Sequence, residues 1–135
     1  MDFEQLNNVS RSVVFRKAIP AGDKGYLDAT LSAHGYVTGV KVRFAAGENA
    51  TLHVRPTVVI PQDIPIDLIQ YADGCDKYIS GDDETYNSDM KIEIENNAIV
   101  RVWYENTGIG TSFLDVDVTV EYLAIVEPKN IIGPR

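Results

Sequence analysis

Cysteine occurs once in 135 residues, at Cys75. No internal disulfide can form, so the fold does not depend on an oxidising compartment. No histidine stands close to Cys75 in sequence to activate it as a nucleophile, and it reads as an incidental thiol. The two histidines, His34 and His53, have no companions at metal-ligand spacing. There is no Ser/His/Asp set, no zinc-protease helix motif and no glycine-rich phosphate loop. No apolar run approaches the roughly 18–20 residues that span a bilayer. The opening Met1-Asp2-Phe3-Glu4-Gln5 lacks the basic and apolar regions of a secretory signal, which sets the expectation of synthesis in the cytoplasm. Basic residues are also scarce: 12 Lys and Arg face 20 Asp and Glu, for a formal net charge of −8. Such a chain repels phosphate backbones and anionic lipid surfaces, so neither nucleic acid nor membrane is an expected partner.

What the chain has in quantity is alternation. From Leu114 to Tyr122, Leu, Val, Val, Val and Tyr occupy the even positions and Asp115, Asp117, Thr119 and Glu121 the odd ones. That is the period of a strand with one buried and one wet face. Val40, Val42 and Phe44 repeat the pattern, as do Met90, Ile92 and Ile94. The chain reads as all-β: an antiparallel β-sandwich, jelly-roll-like, with about seven or eight strands.

The strands fall at Val9 to Ile19, Gly25 to Ser32, Tyr36 to Ala45, Thr51 to Ile60, Asp89 to Glu95, Ala98 to Glu105 and Thr111 to Ile125. Pro56 lacks a donor and puts its strand at an edge or a break. Ala46–Asn49, Asn96-Asn97 and Asn106–Gly110 have the length and composition of hairpin turns. Pro61 to Asp89, interrupted by proline and aspartate, reads as an irregular connection that either crosses from one sheet to the other or caps one end of the sandwich. The expected organisation is a flexible arm at 1–8, one sandwich domain at 9–126 and a second arm at 127–135.

Two constellations invite a chemical reading. Ten of the twenty acidic residues lie between Asp63 and Glu95, densest at Asp82, Asp83 and Glu84. Loop carboxylates are hard oxygen ligands, so a structural Ca²⁺ is the guest they suit, although their spacing is not that of a helical calcium loop. A solvated acidic loop gives the same composition. The second is Val100 to Tyr104. Alternation sends Val100, Val102 and Tyr104 to the core and Arg101 and Trp103 outward, where a tryptophan beside an arginine suits a protein interface or a sugar-stacking platform. Burial on both faces is the competing reading. Tyr78 and Tyr86 complete the candidate binding set. Asp115 and Asp117, two apart on one strand face, are about 6.5–7 Å apart by strand rise, close to glycosidase spacing. A wet strand face produces that pair by default.

The unit Ala46-Gly47-Glu48-Asn49-Ala50-Thr51-Leu52-His53-Val54-Arg55-Pro56, the loop from Lys77 to Glu84 and the strand from Val100 to Thr107 give the chain a family likeness. In style it resembles the small jelly-roll structural proteins of tailed bacteriophages and prophages: capsid decoration, head-fibre or tail accessory subunits. The resemblance implies a non-enzymatic virion subunit, a homo-oligomer and often a trimer, bound to other capsid or tail proteins. The alternative is a carbohydrate- or receptor-binding sandwich, with Trp103, Tyr78 and Tyr86 as platform and Asp82, Asp83 and Glu84 as ligands to Ca²⁺ or to sugar hydroxyls.

Overall fold

The computed structural model describes residues 5–32, 34–60, 64–95 and 97–126. They form eight strands: β1 (Gln5–Ile19), β2 (Lys24–Thr30), β3 (Gly35–Phe44), β4 (Leu52–Val59), β5 (Ile66–Asp67), β6 (Glu84–Ile94), β7 (Ile99–Asn106) and β8 (Ser112–Val126). The first sheet has the order β1-β8-β3-β6 and the second β2-β7-β4-β5. First pairs with eighth, second with seventh, third with sixth and fourth with fifth, all antiparallel. A long antiparallel hairpin, folded over on itself, gives this nesting, and it is the jelly roll.

This topology corrects the reading of the short turns. Ala46–Asn49, Asn97 with its neighbour, and Asn106–Gly110 do not close hairpins. Each carries the chain from one sheet to the other. The turn chemistry still holds: Gly47, Asn49, Ala50 and Asn97 all have positive φ, a region that Gly and Asn enter most easily. The long segment after β4 crosses between the sheets, one of its two expected courses, and contributes β5 on the way.

The core lies between the sheets and is mostly Val, Leu and Ile. Phe15, Ile19, Val37, Val40, Val42, Leu114, Val116 and Val118 meet Leu52, Val54, Val58, Val100, Val102 and Tyr104. In β3 the inward parity changes, from Gly35 and Val37 to Val40, Val42 and Phe44. A bulge makes the change: two steps along β3, from Val37 to Gly39, oppose one step along β8, from Val120 to Thr119. The extra residue keeps apolar side chains inward on both sides of it. Gly35 is required at its position, because a Cβ there would run into the Glu121 carbonyl oxygen.

Pro56 sits inside the second sheet without disrupting it. The flanking Val54 amide donates to the Ile79 carbonyl, and the Leu68 amide donates to the Pro56 carbonyl. Even positions of β4 therefore turn their backbone groups away from β7, and the missing N–H of Pro56 falls on that side. At one end of the sandwich the buried Asn106 donates from Nδ2 to the Ile19 and Gly110 carbonyls, at 2.9 and 2.8 Å, and accepts from the Gly108 amide at 2.9 Å. These bonds tie β1, β7 and the β7–β8 crossing together.

The terminal strands run further than expected. β1 begins at Gln5, so Gln5–Asn8 are paired strand where an arm was expected, opposite Leu123–Val126 of β8. The pairing of β8 with β3 stops at Tyr122. Past that point, among the described residues, β1 and β8 have only each other. The second expected arm, 127–135, lies outside the described residues.

Candidate functional site: an aromatic groove on the second sheet

Register places the site. On the outer face of the second sheet, Tyr26, Trp103 and Arg55 form one cross-strand row through β2, β7 and β4. Lys24, Glu105 and His53 form the next row, about 7 Å further along the strands. The alternation in β7 holds: Val100, Val102 and Tyr104 are buried, while Arg101 and Trp103 face outward and are half-buried. Trp103 is therefore not a core residue.

Two pairs of rings border a groove of about 830 Å³. On one side, Tyr26 and Trp103 have ring centroids 4.9 Å apart and planes inclined by 55°. On the other, His53 and Tyr78 stack at 3.8 Å, nearly parallel. Tyr78 reaches that place because the segment after β5 is pinned to β4: the Val54 amide donates to the Ile79 carbonyl (2.9 Å) and the Ile79 amide to the Val54 carbonyl (2.8 Å). Arg55, at the groove floor, donates to Asp67 at 2.7 Å, and Lys77 lies 3.7 Å from the same carboxylate. Trp103 Nε1 is shielded from solvent and has no hydrogen-bond partner among the described residues.

The other candidates fall elsewhere. Arg101 is not in the groove; it backs it. Its guanidinium is held by both Asp28 oxygens, at 2.7 and 2.8 Å, and lies 4.2 Å from the Tyr26 ring centroid. The Asp28 hydrogen bonds push the Arg101 pKa up. Tyr86 is on β6, in the first sheet, opposite Val42, so the structure does not bring it to Trp103.

The acidic loop is used in local clamps. Asp82 Oδ1 accepts from the Gly47 amide at 2.7 Å and Glu84 Oε1 from the Asp82 amide at 3.3 Å, while Asp83 is exposed with positive φ. Among the described residues, no three His, Cys, Asp or Glu side chains come together to hold a metal. Cys75 is exposed, on the rim of a second hollow of about 530 Å³ between the crossover segment and β6. There burial pushes the Tyr71 hydroxyl pKa well above its usual value. Asp115 and Asp117 lie on the outer face of the first sheet among Arg16, Lys41 and Arg43. No described helix is long and apolar enough to cross a membrane.

Sequence reasoning did not find Tyr26, Arg55 and His53. Tyr26 and Arg55 show as outward positions on alternating strands, but only the β2-β7-β4 order makes them neighbours of Trp103. Nothing in the chain signals that Tyr78 folds back over His53.

No family model matches the chain, and no curated protein matches it. Solved structures do. A chain in a structure of infectious bursal disease virus, Gx strain, is 13% identical, with a TM-score of 0.43, over 90% of this chain and 32% of its own. The VP2 subviral particle of infectious bursal disease virus is 11% identical, with a TM-score of 0.31, over 99% of this chain and 44% of its own. A chain from the Gt strain is 12% identical, with a TM-score of 0.26, over 99% and 43%. This chain therefore spans less than half the length of each.

Proposed function

We propose that the protein is a non-enzymatic structural subunit of a virion, working as a homo-oligomer through its terminal ribbon. The observation that carries this reading is the unequal length of the first sheet. β1 and β8 pair over 15 residues each, and their last four pairs, Gln5–Asn8 with Leu123–Val126, extend past the end of β3. That overhang is about 13 Å long by strand rise. A two-stranded ribbon alone is marginally stable in water and requires a packing partner. The sequence of this stretch includes Leu6, Leu123, Ile125 and Val126, and self-association is a common way for such a ribbon to gain a partner. The jelly roll is a frequent fold of capsid subunits, and the likeness to tailed-phage accessory proteins points the same way.

The test is the mass in solution by light scattering behind size exclusion, with and without a calcium chelator. The expected result is a stable oligomer, a trimer first among the candidates, indifferent to chelation. Leu6→Lys with Ile125→Lys should return it to the 14.9 kDa monomer with its β-type circular dichroism intact. A wild-type protein that elutes as a monomer at every concentration overturns the reading. A melting temperature that falls on chelation would return Ca²⁺ to Asp82, Asp83 and Glu84.

A further inference from the structure

We propose that the groove between Tyr26/Trp103 and His53/Tyr78 is a binding site for a neutral pyranose oligosaccharide. The inference goes beyond the assembly reading and does not depend on it, because every residue involved lies in the second sheet and its crossover segment, away from the terminal ribbon.

The chemistry of the groove selects its occupant. Its volume of about 830 Å³ falls within the roughly 300–1,000 Å³ of small-ligand sites. Rings stand on both sides of it, and Tyr26 is 47% exposed on an open strand face. An exposed ring at the edge of a groove is open to stacking by a ligand. The same groove is lined by groups suited to hydroxyls: Lys24, Arg55, Asp76 and Glu105. A sugar ring offers both surfaces at once, an apolar C–H face to lie on an aromatic ring and a rim of hydroxyls to donate to carboxylates and accept from cations.

Charge decides between a sugar and the other ligands that stack on aromatics. The cations at the groove are Lys24, Arg55 and Lys77; the carboxylates are Asp76, Glu105 and Asp67, the last already bridging Arg55 and Lys77. The two signs balance. A phosphate or sulfate polyanion requires an excess of unpaired cations, which is missing, and the whole protein carries −8 against it. A basic peptide would meet Lys24, Arg55 and Lys77. A neutral polyhydroxyl ligand gains hydrogen bonds from both signs without a net charge penalty.

The supporting geometry is rigid. Arg101 is clamped by Asp28 behind Tyr26, and Tyr78 is held by the two backbone hydrogen bonds between Val54 and Ile79. Both ring pairs are thus set before a ligand arrives, which limits the ordering cost of binding.

Trp103 is the single tryptophan of the chain, so its fluorescence reports on this groove alone. The experiment uses the intact protein on a printed array of neutral, sialylated, sulfated and bacterial cell-wall glycans. Each array hit is then titrated in solution while Trp103 emission is followed. The expected result is saturable binding to at least one neutral glycan with a change in Trp103 emission. Tyr78→Ala and Tyr26→Ala, each checked for an unchanged β-type spectrum, should weaken it about tenfold or more. Arg16→Ala, on the other sheet, should leave it unchanged. An array with no hit, hits confined to sulfated or sialylated glycans, or affinity that survives both tyrosine variants would overturn the proposal. None of these outcomes touches the oligomer mass, so the two readings stand or fall separately.

Discussion

The outer faces of the two sheets are built on the same inward pattern and differ in what they show to solvent. On the first sheet, Arg16 and Asp115 pair at 3.3 Å, Lys41 stands opposite Asp117, and Arg43 joins them. Its outward aromatics are Tyr36, under Lys91 at 4.6 Å, and Phe113, 58% exposed near the start of β8. On the second sheet the same outward positions hold Tyr26, Trp103 and His53, with Tyr78 brought over from the crossover. The core does not require this difference, since Val116 and Val118 on one side and Val100 and Val102 on the other are all fully buried. A strand needs only a polar or charged residue outward, and the first sheet shows that this sequence can supply them. What sets the second sheet apart is that its rings come in two pairs lining one groove, and this pairing is what the proposed binding face rests on.

The sharpest way to break the comparison is to remove one outward residue from each sheet. Trp103→Ala strips the packing from Tyr26 and removes one of the rings that line the groove. We expect a loss of about 2 kcal/mol, below the 3–5 of a fully buried tryptophan because Trp103 is half-buried. Asp115→Ala, at an equivalent outward place on β8, should cost under about 0.5 kcal/mol. Chemical denaturation of both variants measures the pair. Equal losses would mean that the aromatic face is no more than another solvated surface.

How much of this was legible in the chain follows from what a period of two encodes. It states which side chains share a face, so Arg101 and Trp103 outward and Tyr104 inward could be read directly, as could Lys41 and Arg43 against Val40 and Val42. It does not state which strand lies alongside. Ala46–Asn49 and Asn106–Gly110 look like hairpins because crossing from one sheet to the other, about 10 Å, takes as few residues and the same Gly and Asn as reversing within one. Tyr86 was grouped with Trp103 on residue type, and sheet order separates them. The start of β1 was hidden because Asn7 and Asn8 are poor strand formers; their pairing with β8 overrides propensity.

Charge turned inward is the second way to sharpen the contrast. Glu48 is buried beside the crossing loops and accepts from the Phe113 amide at 2.9 Å with Oε2, while Oε1 has no partner among the described residues. Burial is the main cause that raises its pKa above 4.5, opposed by the hydrogen bonds from the Phe113 and Ala45 amides. Since the folded state holds the proton more tightly than the unfolded one, this group's contribution is most favourable below pH 4.5 and is lost as pH rises through its folded pKa. Glu48→Gln removes that dependence. The expected outcome is a wild-type-minus-variant stability difference that is level below pH 4.5, falls above it and levels again. A difference flat from pH 4 to 8 would show that burial does not hold the Glu48 proton.

The smallest effect compares two arginines of the same chemistry. Arg16 meets Asp115 through one nitrogen at 3.3 Å with 67% of its side chain exposed. Such a pair gains little in water and loses side-chain entropy, so Arg16→Ala should cost about 0.5 kcal/mol or less, and nothing measurable in 1 M salt, where screening acts over about 3 Å. Arg101 holds Asp28 through two nitrogens and lies over the Tyr26 ring, 4.2 Å from its centroid. Part of its contact is with a ring face, which salt does not screen as it does an ion pair. Arg101→Ala should therefore cost more than Arg16→Ala, and the excess should persist in 1 M salt, read as the shift in denaturation midpoint at low and high ionic strength. If salt abolishes both effects alike, Arg101 is only another surface ion pair, and Tyr26 must be held in place by Trp103 alone.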